Sequence, residues 1–182
     1  MTDRPRGQAE LVADADHYRR VVTDGLLTAK SSLEIATADF KAMLTPTPDR
    51  QRAPSIIEHV RRLGERGVEI RVLHAGVPSA AARRELKAGM PAGLTIRRCP
   101  RWHGKLVIVD CRAMYLGSAN LTGAGLGAKA DERRNFELGV WTRSVELIDG
   151  ALERFNHVWE GVACETCKRR DICPVPLEEP RL

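Results

Sequence analysis

The apolar positions along the chain switch between a helical and a strand period. Val21, Val22, Leu26 and Leu27 fall on one face across residues 13–29 and predict a first helix. Residues 32–40 alternate well enough for a buried strand, and three prolines in residues 45–54 predict a loop. Ser55 and Glu58 have capping-box spacing, and Ile56, Ile57, Val60 and Leu63 share a helical face that Gly64 and Gly67 end. Residues 68–74 are rich in β-branched side chains and predict the next strand. A short helix over 79–88 and a strand over 94–98 follow. Residues 105–109 and 114–116 flank Asp110, Cys111 and Arg112 at hairpin spacing, and 135–142 predict one more strand. Leu147, Ile148, Ala151, Leu152, Phe155 and Val158 mark a last amphipathic helix. Strands alternate with helices early and follow one another later. The class is therefore α/β (or α+β), a mixed sheet covered by helices. The pattern divides the chain into a flexible N-terminus (1–12), one domain (13–159) and a cysteine-rich tail (160–182).

Composition narrows the function. The 182 residues are 43% hydrophobic and 29% charged, the balance of a globular chain rather than a disordered one. No apolar run reaches the roughly 20 residues that span a bilayer, and the polar N-terminus shows no signal core. A cytoplasmic protein is expected, with reduced cysteines and no membrane partner. The net charge of +5 favours a polyanionic partner, although paired arginines on solvated helices would give the same count. Aromatic content of 4% argues against a base-stacking platform.

The chemistry concentrates in His103-Gly-Lys105-Leu-Val-Ile-Val-Asp110, followed by Gly117-Ser118-Ala119-Asn120. A period of two puts His103 and Lys105 on the same side of a strand, where imidazole and ammonium can face one anion. Gly117 is expected to permit a tight backbone path, after which Ser118 and Asn120 offer further hydrogen bonds. Such a set suits a phosphoryl group, whose transfer needs positioning and charge stabilisation, which these side chains supply without a metal. His17, His59 and His74 stand outside any such constellation and are expected to be structural.

This segment resembles the phospholipase D superfamily signature, H-x-K-x4-D-x6-G-S-x-N, at every defined position. Asn135-Phe136-Glu137 is similar to the family's Asn-x-Glu element, and the resemblance runs over residues 13–159. It implies a mixed sheet with helices on both faces. It also implies that His103 is a nucleophile forming a phosphohistidine, with Lys105 and Asn120 holding phosphate oxygens and Ser118 assisting. Glu137 would then hydrogen-bond the imidazole, and Asp110 would anchor the hairpin. The family pairs two motifs about a pseudo-twofold, and this chain has one His-x-Lys. The resemblance therefore implies a homodimer that completes the site.

The motif does not choose among phosphodiesters. Size, charge and the lack of a membrane-binding segment favour nucleic acid, DNA before RNA, and a nuclease. A phospholipid hydrolase or transferase is one alternative. A non-catalytic nucleic-acid-binding or assembly subunit of a DNA-processing or defence complex is another. Phe40, Lys41, Arg101 and Trp102 are placed to line a backbone groove, with Trp102 equally suited to packing.

The tail carries Cys164, Cys167 and Cys173, a C-x2-C pair with a third cysteine five residues on. This resembles a metal knuckle. Cys99 is the preferred fourth ligand, His157 its competitor and Cys111 a weaker one. Zinc leads as the metal, with an iron–sulfur cluster left open by the Cys-Pro pairs at 99–100 and 173–174. Free thiols in a flexible tail are the alternative.

Overall fold

The computed structural model describes residues 9–46 and 53–180. Seven strands form one sheet: β1 (Glu10–Ala13), β2 (Ser32–Thr37), β3 (Glu69–His74), β4 (Leu94–Arg98), β5 (Lys105–Val109), β6 (Ala113–Gly117) and β7 (Leu138–Thr142). Their order is β1-β7-β6-β5-β2-β3-β4. The β2-β3-β4 side is parallel and every other pair is antiparallel. Helices α1 (Ile56–Glu65) and α2 (Ala80–Ala88) make the two parallel crossovers. The hairpin β5–β6 then returns the chain beside β2.

Helices pack on both faces, as the resemblance implied. One face presents Leu33, Ile35, Val107, Val109, Tyr115 and Trp141 to α1, α2 and the turns over 18–28. The other presents Ala36, Leu106, Ile108 and Met114 to helix α3 (Val145–Trp159), through Ile148, Phe155, Val158 and Trp159. Each such large side chain, fully buried, contributes about 1.5–3 kcal/mol. Arg71 ties α3 to the sheet: it stacks 5.2 Å from the Phe155 ring, donates to Asn156 Oδ1 at 2.9 Å and pairs with buried Glu34 at 3.1 Å. Burial pushes the Glu34 carboxyl up, with Arg71 opposing.

Four elements depart from the pattern. Residues 10–12, assigned above to a flexible terminus, form β1 with Ala13 and pair along β7; residues 1–8 lie outside the described residues. The helix expected over 13–29 is instead a π-helical segment at Tyr18–Thr23 and a 3-10 turn at Leu26–Thr28. Between the two, the chain packs closely at Gly25, where a Cβ would lie 2.6 Å from both the Trp141 ring and the Val21 carbonyl oxygen. The capping box is half made. Ser55 Oγ accepts from Glu58 N at 3.1 Å, but Glu58 pairs with Arg62 instead of reaching back. Finally β7 begins at Leu138, three residues later than expected. Of the proline-rich loop, residues 47–52 lie outside the described residues.

Asp110 sets the hairpin that aims β5. Asp110 and Cys111 both take positive φ, 52° and 51°, the conformation a tight hairpin turn demands. The carboxylate accepts the backbone N–H groups of Lys30, Ser31 and Ser32 and the Ser31 hydroxyl, at 2.7–3.1 Å. Burial alone would raise this carboxyl, but those hydrogen bonds outweigh it and hold the group below its ordinary value. Its contribution is therefore present above about pH 4 and lost as pH falls through the lowered folded value. Asp110→Ala should cost about 1–3 kcal/mol in denaturant titrations at neutral pH, and less at pH 2. An equal cost at both would contradict this role.

Candidate active site

The register gathers the motif at one end of the sheet. Lys105 opens β5 opposite Gly117, the last residue of β6, which in turn pairs with Gly139 of β7. His103 stands two residues before Lys105 and is exposed, whereas Lys105 is buried, only 9% exposed. Lys105 Nζ donates to the His103 carbonyl at 2.8 Å and lies 3.4 Å from His103 Nδ1. An ammonium only donates, so this contact makes Nδ1 the acceptor and leaves the ring proton on Nε2. An arriving phosphate would draw the ammonium to itself and release that constraint.

Asn120 is held from behind. Its Oδ1 accepts from Thr37 Oγ1 at 3.2 Å and from the Ala38 and Asp39 N–H groups at 3.1 Å each. The carbonyl end is thus occupied, and the amide NH2 supplies two donors for an anion. Thr37 also accepts from Leu121 N at 3.0 Å, which locks β2 to the loop after β6.

Ser118 and Glu137 occupy each other. Ser118 Oγ donates to Glu137 Oε2 and accepts from Leu138 N at 3.0 Å, and Asn135 Nδ2 donates to Glu137 Oε1 at 3.0 Å. The bond expected from Glu137 to the His103 imidazole is not formed among the described residues; the carboxylate accepts from Ser118 and Asn135 instead. Ser118 likewise spends its hydroxyl on Glu137. Asp110 sits at the far end of β5, in its turn, and takes no part in the cluster.

The sequence did not single out the residues that hold this geometry. Asp14 accepts Glu137 N and donates its own N–H to Glu137 O, each at 3.0 Å. Tyr115 Oη lies 2.9 Å from His17 Nε2 and accepts from Ala119 N at 3.1 Å, bracing the turn that carries Ser118 and Asn120. The same ring explains two glycines. A Cβ at Gly117 would meet Tyr115 Oη at 2.3 Å, and one at Gly139 would meet Tyr115 Cε2 at 2.3 Å. Gly117 is therefore required both by the ring laid across it and by the close backbone of Gly139, whose Cα would lie 2.6 Å from that Cβ. Burial raises the Tyr115 phenol to about 12.

His17 is structural, as expected, and bears on acid stability. Nδ1 lies 3.0 Å from the Asp14 carbonyl, so neutral His17 donates there and accepts the Tyr115 hydroxyl at Nε2. Burial holds its pKa below the ordinary value despite the Asp14 carbonyl, and burial does the same to His74. The unfolded chain takes up these protons near pH 6.5 and the folded chain only lower. Stability should be full above about pH 6.5 and fall as pH drops from there toward the folded values. Thermal melts from pH 7 to 5 should show this, and His17→Gln should flatten the slope, leaving the His74 part. An unchanged slope would remove His17 from the account.

Of the expected groove, Phe40 is corrected: it is 4% exposed and bridges to Leu121 inside the core. Lys41 pairs with Asp39 at 3.1 Å. Trp102 packs edge-on to Phe155 at 6.2 Å and donates to the Gly104 carbonyl at 2.7 Å, which makes it a support for the loop before β5. Arg101 is exposed beside the tail.

Cys99, Cys164, Cys167 and Cys173 line one cavity of about 90 Å³, while Cys111 and His157 do not. Burial raises the Cys164 and Cys173 thiols, and the Cys99 thiol adds to both. A hydrogen bond from the Arg169 backbone and the Arg101 guanidinium hold Cys167 lower. Among the described residues, no three potential ligands already converge on a point for one ion.

A sheet with helices on both faces and a His-x-Lys edge backed by Asn120 defines a phospholipase D-type architecture. Residues 22–159 match the family model described as cardiolipin synthase, PLD-like domain, and the chain belongs to this phospholipase D-like family. Its fold is similar to Nuc from Salmonella typhimurium, a phospholipase D family member (TM-score 0.66, 19% identity), across 97% of this chain and 100% of that one. NucT from Helicobacter pylori is also similar (TM-score 0.63, 16% identity; 85% and 97% covered). So is TrmBL2, an archaeal chromatin protein (TM-score 0.53, 16% identity; 87% and 54% covered). No curated protein sequence matches the chain. No helix among the described residues is long and apolar enough to cross a membrane.

Proposed function

We propose that the chain is a metal-independent nuclease, DNA before RNA, that works through a phosphohistidine at His103 in a site completed by a second copy of the chain. The observation that carries this reading is the His103–Lys105 edge beside an Asn120 amide whose oxygen is already pinned. Together they offer one nucleophile and two kinds of donor to a single phosphate. Glu137, the carboxylate beside the cluster, accepts from Ser118 and Asn135, while Asp110 lies at the far end of β5.

The chemistry runs in two displacements. Once the phosphate has drawn the Lys105 ammonium away from Nδ1, the His103 ring proton moves to Nδ1 and the freed Nε2 attacks phosphorus; the P–N bond forms and the P–O bond to the leaving group breaks. That oxygen takes a proton from the second copy's imidazole. Water then gives a proton back to that imidazole and attacks phosphorus, the P–N bond breaks, and His103 is restored. Lys105 and the Asn120 amide carry the charge on the non-bridging oxygens throughout.

Two features support the second copy. One chain supplies one such imidazole. Beside Ser118 and Glu137, the sheet face at β1, β7 and β6 is open among the described residues: Leu11, Leu138 and Leu116 are 69%, 57% and 50% exposed, and Phe136 next to Glu137 is 97% exposed. An apolar patch of this kind at a half-built site suits a self-complementary contact. The positive net charge favours nucleic acid over a neutral partner, and TrmBL2, similar in fold, is a DNA-binding protein.

A panel of single- and double-stranded DNA, RNA and phospholipid vesicles, assayed with magnesium withheld, tests the reading. Cleavage of DNA that weakens steeply with salt is expected. Turnover of vesicles alone would assign the lipid reading, and an absolute need for magnesium would contradict the mechanism.

A further inference from the structure

We propose that Cys99, Cys164, Cys167 and Cys173 are the four thiolate ligands of one metal centre that fastens the C-terminal tail to the catalytic side of the sheet. Two distant segments bring these residues to one cavity of about 90 Å³: the loop leaving β4, and the tail after α3. The fifth cysteine, Cys111, lies exposed in the β5–β6 turn and takes no part.

The tail needs such a fastening. Beyond α3 it has one short 3-10 turn, Val162–Cys164, and Ile172 and Val175 are exposed. Its other ties are few. Glu178 pairs with Arg98 at 2.7 Å and accepts the Arg98 N–H at 3.0 Å. Ala163 and Leu177 pack at the margin of the α3 core. A segment with so little apolar burial is held by a cross-link or an ion rather than by packing.

Charge fits as well. Four thiolates around Zn²⁺ leave a net charge of about −2, and a four-cysteine iron–sulfur cluster is also anionic. Arg98, Arg101, Arg154 and Arg170 stand on the same cavity wall and would offset that charge. A single zinc would draw its sulfurs to about 2.3 Å from one point. Among the described residues the thiols do not yet converge on a point, so binding would draw the four sulfurs inward.

The centre would act on catalysis through position. Cys99 lies four residues before His103, its N–H donates to the His74 carbonyl at 2.8 Å, and the Trp102 N–H donates to the Cys99 carbonyl at 2.9 Å. The fastening therefore reaches the loop that presents His103 while contacting no substrate.

The test is metal and sulfide analysis with a visible spectrum on the full chain, purified without oxygen and again after reconstitution with iron and sulfide or with zinc. One zinc per chain, or iron with acid-labile sulfide and a brown visible band, lost in Cys167→Ser and Cys99→Ser but kept in Cys111→Ser, is the expected result. Either supports the ligand set, and the metal found assigns the centre. Limited proteolysis guards against simple misfolding: Cys167→Ser should free the tail to cleavage after α3 while the sheet domain stays resistant. No metal after either reconstitution, metal retained in the cysteine variants, or disulfides in their place would overturn the proposal.

Discussion

Replacing His103 with alanine should abolish cleavage, by at least about 10⁴-fold, while leaving nucleic-acid binding within a few-fold of wild type. The size of the loss follows from its role. Lys105 or Asn120 only stabilises charge, and loss of one such donor costs about 10²–10³-fold. His103 makes and breaks the bond to phosphorus, and nothing among the described residues stands in for it. Binding survives because His103 is exposed and carries no part of the fold, while Lys105 and the basic surface remain. Salt-dependent DNA binding by filter retention, beside a cleavage assay on the same preparation, separates the readings. Cleavage preserved in His103→Ala would remove the nucleophile. Binding without cleavage in wild type would favour the non-catalytic subunit.

The second large effect concerns the partner copy. Leu138→Asp places a charge on the open apolar face of β7 without touching the core, since Leu138 is 57% exposed. Light scattering should show a monomer with an unchanged circular dichroism spectrum, and activity should fall by about 10²–10⁴-fold through loss of the general acid. Mixed dimers give a sharper reading. If both imidazoles serve one site, co-expressing equal amounts of wild type and His103→Ala should leave about a quarter of the activity of an all-wild-type pool. About a half would mean that each chain works alone.

How much of this was legible in the sequence depends on how local each signal is. The β5–β6 hairpin follows from period and spacing and appears where the pattern places it, whereas His103, expected on the strand beside Lys105, lies in the loop before β5 and meets Lys105 from there. The support role of Asp110 was legible too, since a carboxylate at a tight turn finds backbone donors. The details that depend on distant residues were not legible. Tyr115 lies across Gly117 and Gly139, and only the pairing of β6 with β7 brings those glycines together. Asp14 reaches Glu137 through the β1–β7 ladder, in a segment whose apolar spacing mimics a helix. Glu137 was expected on His103 because the family element implies it. Its oxygens went to Ser118 and Asn135, nearer neighbours along the chain path. Phe40 has the aromatic character of a groove residue, but its contact with the loop at Leu121 buries it.

The covalent intermediate is the most direct test of the account. Wild-type protein mixed with a labelled oligonucleotide and quenched in alkali, which spares phosphohistidine, should carry one labelled adduct that maps to the peptide containing His103. The adduct should be absent from His103→Ala and should form with magnesium withheld. An active enzyme that accumulates no adduct at any quench time, or one whose label maps to another residue, would contradict it.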